Sequence, residues 1–438
     1  SSLAYNNLGN IYNASGRIAE AEKSYRKAIE INPKDHLAFN NLGSLLATKG
    51  DLLGAEKLTQ KAIDINSKFE LGASISIEIE GERVINLWGG FKDAKKSMLW
   101  EEDTLCNTFS VSKAMTTACI LKLIQEEKID LNEKVSFYWP EYGCNGKENT
   151  TIKDLLTHRA GMFAFEKNFK IKNEEWTDWN LFVGKLARQK PFYTPGSAQS
   201  YHAITFGFLI GEVVRRVDGR SLGKYFKENI GDPFDIDFIF GLEDEDINRT
   251  ADIVMSKMRA PFLAKAFFKT PSWLIPKRIR PVINLINESD FKKAFFNTET
   301  EKDSVNSKAW KRAEIPAANG FGSAKGISKF YSTLIDNFSE PILSKKTLDH
   351  ATQFHSLGPD TVLLNLPIKF GLGFMMENPY SPLGQNPDLF GHSGVGGSVG
   401  FADRKRKIGF GFTKNYMHPP GKLFKSANDL TNLFYSIL

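Results

Sequence analysis

The spacing of hydrophobic positions changes once along the chain, and the change divides it. Over residues 1–67 apolar residues recur at helical spacing and the pattern repeats. Ala4-Tyr5-Asn6-Asn7-Leu8-Gly9 returns as Ala38-Phe39-Asn40-Asn41-Leu42-Gly43, an offset of 34 that also links Gly16 with Gly50, Ala21 with Ala55 and Ala28 with Ala62. Small residues at Gly9 and Ala21 let paired helices approach closely, and Pro33 ends the second helix. From Leu71 the period becomes two. Ala73–Ile79 predicts a strand, Glu80-Gly81-Glu82 a turn and Val84–Trp88 the returning strand. Residues 113–127 predict a largely buried helix, and residues from Ile204 to Val217 another. Near the C-terminus, Gly397–Ala402 and Ile408–Lys414 predict two strands joined by Asp403-Arg404-Lys405. Strands at both ends with helices between predict an α+β protein whose antiparallel sheet is closed by the two ends of the chain. No Gly-, Ser- or Pro-rich linker separates the hairpin from the repeats, which predicts rigid packing of the two parts.

The 34-residue period, with Leu-Gly in the first helix and alanines in the second, resembles the tetratricopeptide repeat. That resemblance implies a protein partner through residues 1–67. Two repeats are fewer than a solenoid needs, so more repeats are expected before Ser1, or a cap from the next domain. The chain begins Ser-Ser with neither Met nor a signal-like segment, which predicts a fragment or a processed form.

Composition narrows the function classes. The chain has 438 residues, 41% hydrophobic and 25% charged, which is enough to bury a large core in two or three domains. A net charge of +6 over this length is too mild to point to nucleic acid. Cys106, Cys119 and Cys144 have no metal-ligand spacing and no even framework, so reduced thiols and an intracellular setting, cytoplasmic or organellar, are expected. No apolar run is long enough to span a membrane. Residues 253–287 stand apart, with Lys257, Arg259, Lys265, Lys269, Lys277, Arg278 and Arg280 interleaved with Phe262, Phe267, Phe268 and Trp273.

Candidate chemistry begins at Ser110-Val111-Ser112-Lys113. The chain holds three other Ser-x-x-Lys matches, at Ser24, Ser221 and Ser289, so setting has to choose. Ser24 lies inside a repeat helix, Ser221 follows the turn Asp218-Gly219-Arg220, and Ser289 lies in an acidic loop. Ser110 alone stands where a strand-like stretch, Thr104–Phe109, enters a helix. There Lys113 lies one turn along on the same face, within reach of the hydroxyl, and the helix start offers N–H donors to a developing negative charge. Downstream, Tyr201 occupies a loop before a helix, and Gly391-His392-Ser393-Gly394-Val395-Gly396-Gly397 forms a glycine-rich stretch. Ser393 is a poor nucleophile candidate, since Val395 stands where a Gly-x-Ser-x-Gly elbow needs glycine.

With Leu87-Trp88-Gly89-Gly90, Leu155-Leu156-Thr157-His158-Arg159-Ala160-Gly161 and Ile315-Pro316-Ala317-Ala318-Asn319-Gly320, these pieces keep an order that resembles the serine β-lactamase and penicillin-binding superfamily, in its class C-like esterase branch. The resemblance spans roughly residues 70–438. It implies a hydrolase domain over 68–438, with an antiparallel sheet flanked by helices, an all-helical subdomain and a lid or insertion at 253–310. It implies a serine hydrolase that needs no cofactor or metal and cleaves a small ester or amide through an acyl-enzyme. Carried over, Ser110 is the nucleophile, Lys113 its base and Tyr201 the proton shuttle. His392-Ser393-Gly394 is the third motif, and the N–H groups of Ser110 and Val395 form the oxyanion hole. Two departures count. Ala203 replaces the asparagine that follows the tyrosine, and His392 replaces a lysine, leaving a weaker, pH-dependent cation. Both favour esters over β-lactams. His158 reads as structural. The lid position suggests lipid contact through residues 253–287. The competing expectation is a catalytically silent scaffold whose repeats bind protein partners.

Overall fold

The computed structural model describes residues 1–33, 35, 38, 39, 41, 42, 45, 70–256, 289–301, 303–335, 341–377, 383, 386, 389–419 and 422–435. Most of the second repeat, residues 46–69 and the bulk of the basic aromatic segment, residues 257–288, lie outside the described residues.

The N-terminal pattern folds as two antiparallel helices, Ser2–Ala14 and Ile18–Ile31. Ala21, Tyr25 and Ala28 are buried between them, with the Tyr25 ring against Gly9. The repeated asparagines join one repeat to the next: the Asn41 amide donates to Asn6 at 2.8 Å and to Asn10 at 3.0 Å. Leu42 and Leu45 complete this small core.

An eight-stranded antiparallel sheet dominates the rest, in the order Ser356–Asp360, Leu366–Phe370, Met375–Met376, Leu389–Ser393, Val399–Asp403, Ile408–Lys414, Gly72–Ile79, Glu82–Gly90. The predicted hairpin and C-terminal strands are therefore neighbours, with Ile75 opposite Phe412 and Ile77 opposite Phe410. Alternation explains how this sheet is covered. Ile75, Ile77, Phe410 and Phe412 enter one core, while the serines and glycines between them face the helix Ala324–Ile335. A Cβ on Gly409 or Gly411 would lie 2.3 or 2.2 Å from a backbone carbonyl of that helix, so the pattern Ile-Gly-Phe-Gly-Phe brings it down onto the sheet. Ser328 donates to Ser76 at 2.9 Å across the contact.

The second core belongs to helices. Ser112–Gln125 is buried almost all round, as predicted, and packs on Thr205–Asp218. Phe182 and Phe208 stack at 4.5 Å within this layer. A small sheet of Phe238–Ile239, Phe321–Gly322, Leu105–Asn107 and Thr250–Ala251 lies at its edge. It delivers the chain to Ser110.

Candidate active site

Ser110 occupies a 3-10 turn, Phe109–Val111, that runs straight into the helix Ser112–Gln125. Thr108 fastens the turn, its N–H and hydroxyl donating to the Gly320 carbonyl at 3.0 and 2.9 Å. Three residues on is nearly one helical turn, and Lys113 Nζ lies 3.1 Å from Ser110 Oγ.

Lys113 has no solvent exposure. Its Nζ donates to the carbonyls of Ala203 at 2.7 Å and Ala317 at 3.0 Å. Burial holds its pKa well below the ordinary lysine value. A neutral amine has two N–H donors and one lone pair. With two donors taken by the carbonyls, the neutral form would turn its lone pair to the Ser110 hydroxyl. The carbonyls are themselves braced. Asn319 donates to the Trp310 and Ala313 carbonyls, both at 2.8 Å, and accepts the Ile315 N–H at 2.7 Å, fixing the turn that presents Ala317. Thr116 holds the same turn through the Pro316 carbonyl at 2.7 Å.

Tyr201 lies in the loop before Thr205–Asp218, buried against Phe370, with its hydroxyl close enough to Ser110 to interact. Burial raises its pKa, so the phenol keeps its proton. Lys113 Nζ stands 4.8 Å from the Tyr201 ring centroid. On the other side the Tyr201 hydroxyl is 3.5 Å from His392 Nε2. His392 corrects the sequence reading of a pH-dependent cation. It is buried, and burial with the nearby Lys113 pushes its pKa down to about 3, so the ring is neutral at ordinary pH. Its Nδ1 lies 2.9 Å from the Ser393 carbonyl, which assigns the proton to Nδ1 and leaves Nε2 as the acceptor facing Tyr201.

His392 and Ser393 end the strand Leu389–Ser393. Beyond them the chain turns tightly, Gly394 N–H donating to Ser398 O and Gly397 N–H to Gly394 O, both at 2.8 Å. Val395 sits at the tip, 42% exposed, and its N–H has no acceptor among the described residues. Ser110, Lys113, Tyr201 and His392 thus come together, with the 394–397 turn packed on the residues before Ser110. His158 is structural as expected, accepting the His202 N–H through Nδ1 at 3.1 Å.

The rival Ser-x-x-Lys matches resolve physically. Ser221 and Ser289 are helix N-caps that accept from the N–H of Lys224 and Lys292, at 3.2 Å each, so the spacing there serves the backbone. Ser289 therefore begins a helix, Asp290–Phe296, where an acidic loop was expected.

Sequence reading missed Asp360. Its buried carboxylate accepts the N–H groups of Tyr201, Val362 and Leu363 at 3.1, 3.0 and 2.9 Å, anchoring the tyrosine from 159 residues away. Only its place just before a turn hinted at this. Among the described residues no group of three His, Cys, Asp or Glu is placed to hold a metal.

Comparison with known proteins gives the family and the fold. A family profile described as Beta-lactamase matches residues 65–430. The chain belongs to the beta-lactamase family. Two tetratricopeptide-repeat profiles match residues 2–35 and 24–57. "Esterase/beta-lactamase LipL" of Mycobacterium tuberculosis is 28% identical over 357 residues, 80% of this chain and 78% of that protein. Among solved structures, a family VIII carboxylesterase has 33% identity and a TM-score of 0.70, covering 86% of this chain and 95% of its own. A penicillin-binding protein homologue from Caulobacter crescentus has 31% identity and a TM-score of 0.71, covering 84% and 93%. With this family, this fold and esterases among its relatives, the chain is a serine hydrolase.

Proposed function

We propose that the chain hydrolyses a small ester, or an amide, through an acyl-enzyme on Ser110. The observation that carries this reading is the buried Lys113 amine, held by two backbone carbonyls with its Nζ 3.1 Å from Ser110 Oγ. In acylation Ser110 Oγ bonds to the substrate carbonyl carbon and its proton passes to Lys113 Nζ. The oxyanion is met by the N–H groups of Ser110 and Val395. Collapse breaks the bond to the leaving oxygen, which takes the Tyr201 proton, and Lys113 returns a proton to Tyr201. Water then attacks the acyl carbon by the reverse route and frees Ser110. His392 holds the Tyr201 hydroxyl through Nε2, while Ser393 and Gly394 line the substrate edge. Esters are favoured because neither Ala203 nor neutral His392 offers the amide or the cation that a β-lactam calls for.

Residues 1–67 form the partner-binding repeat module and 68–438 the hydrolase domain in this proposal, with 253–310 as its lid. The lipid contact expected of residues 253–287 falls mostly on residues outside those described. A setting inside the cell rests on three free cysteines. No helix among the described residues is long and apolar enough to cross a membrane. A fluorophosphonate probe and a p-nitrophenyl ester test the reading on parent and Ser110→Ala. The parent is expected to be labelled and to turn over, and the variant to do neither. Equal labelling of both would refute the assignment.

A further inference from the structure

Phe109 stands immediately before Ser110 with φ +50°, in the left-handed region that a bulky residue rarely adopts. Such strain persists only where the surroundings impose it. Here the backbone is held at both ends. The Phe109 N–H donates to Asn107 Oδ1 at 3.3 Å, and its carbonyl accepts the Ser112 hydroxyl at 2.5 Å. Ser112 Oγ in turn accepts the Gly320 N–H at 2.9 Å.

The ring goes where that backbone sends it. It is buried in a small cluster with Trp100, Cys106, Ala251 and Ile253. Its opposite edge meets the turn that carries Val395. A Cβ on Gly396 would lie 2.6 Å from Phe109 Cε2, and one on Gly394 would lie 2.2 Å from the Thr108 carbonyl and 3.3 Å from Phe109 Cβ. Both neighbours of Val395 thus rest directly on Thr108 and Phe109. From the other side the turn is closed by Lys414, whose Cε would be 2.3 Å from a Cβ on Gly397. Lys414 is fixed there by its ion pair with Glu70 at 2.8 Å.

We infer that Phe109 is a positioning residue, whose strained backbone and wedged ring set the separation between Ser110 and the Val395 N–H. The inference rests on the acyl-enzyme reading given above. A φ of +50° suits glycine better than phenylalanine, so local backbone preference alone does not account for the residue. Its contact with the 394–397 turn does. An oxyanion donor displaced by a fraction of an ångström loses most of its advantage, because stabilisation is confined to the atom that develops charge in the transition state.

The experiment uses the full chain, with concentrations set by active-site titration and thermal melts run alongside. Phe109→Gly relieves the backbone and removes the ring. Gly396→Ala pushes the turn off the ring while keeping Phe109 itself. Each is expected to lower kcat and the affinity for a boronic acid that mimics the tetrahedral intermediate together, by about 10- to 100-fold, with KM moving far less. In Phe109→Ala the vacated space accepts a Cβ, so adding Gly396→Ala is expected to cost little more. A residue that only fills the core would lower the melting temperature and leave kcat per titrated site unchanged, and that result overturns the inference. If no Phe109 variant folds, Gly396→Ala decides alone, parental kcat in it being the contradicting outcome. An active Ser110→Ala would instead sink the acyl-enzyme reading. An inactive Ser110→Ala beside fully active Phe109 and Gly396 variants would sink only this inference.

Discussion

A lysine sealed from solvent beside a serine has to resolve its charge, and here it does so without a carboxylate. Two backbone carbonyls accept from Lys113 Nζ, the serine hydroxyl lies 3.1 Å from it, and burial favours the neutral amine. His392 and His202 are likewise buried, and burial above all pushes both pKa values down to about 3. The consequence for stability has a definite sign. In the unfolded chain a histidine titrates near 6.5, so between about pH 3 and about pH 6.5 the unfolded state binds more protons than the native one. Stability is therefore expected to fall as pH drops through that window, and His392→Gln is expected to lower the slope by about one proton. Urea melts at several pH values read this directly, and an unchanged slope would contradict a buried neutral His392. At Tyr201 the ring is held by packing on Phe370 and only the hydroxyl meets Ser110 and His392. Tyr201→Phe is expected to keep the melting temperature near that of the parent while kcat falls about 10²- to 10⁴-fold. Steady-state ester kinetics check it.

At the scale of elements, the site is assembled from one helix start, two loops and one strand end. The hairpin Ser356–Asp360 to Leu366–Phe370 lies beyond the strand of His392 in the sheet, yet its Asp360 holds the Tyr201 loop. Asp360→Ala leaves three N–H donors without their acceptor and is expected to cost about 1–3 kcal/mol of stability and to lower kcat more than it raises KM. Helix Ala324–Ile335 rests on strand glycines, so Gly411→Val, meeting the Ala324 carbonyl, is expected to destabilise by about 1–3 kcal/mol without altering KM. Denaturant melts measure both. Ser110 and Lys113 were legible in the sequence because their relation is local, one helical turn at a strand-to-helix junction. The two strand pairs were legible because alternation survives in Ala73–Ile79 and Ile408–Lys414. The carbonyls of Ala203 and Ala317 were not, since a backbone acceptor leaves no signature in its side chain. Asp360 and the charge state of His392 were hidden for a related reason: both depend on burial created by residues far away in sequence.

For the whole molecule, the repeats and the hydrolase have separate cores. The repeat core holds Ala21, Tyr25, Leu42 and Leu45, and the hydrolase cores share none of these residues. In the proposed reading, ester turnover belongs to the hydrolase and partner binding to the repeats. Within the hydrolase, the eight-stranded sheet brings Leu389–Ser393 beside the helical layer that carries Ser110, so Ser110 and the proposed oxyanion donor Val395 come from separate layers and meet only in the folded chain. The measurement that tests the central claim most directly is the rate of fluorophosphonate labelling at Ser110 against pH, in the parent and in Lys113→Arg. The account predicts that the parent is labelled readily near neutral pH, with the rate falling as acid protonates Lys113. It predicts that folded Lys113→Arg, charged at every accessible pH, is labelled slowly or not at all. Labelling of Lys113→Arg at the parental rate, or a parental rate indifferent to pH, would contradict it.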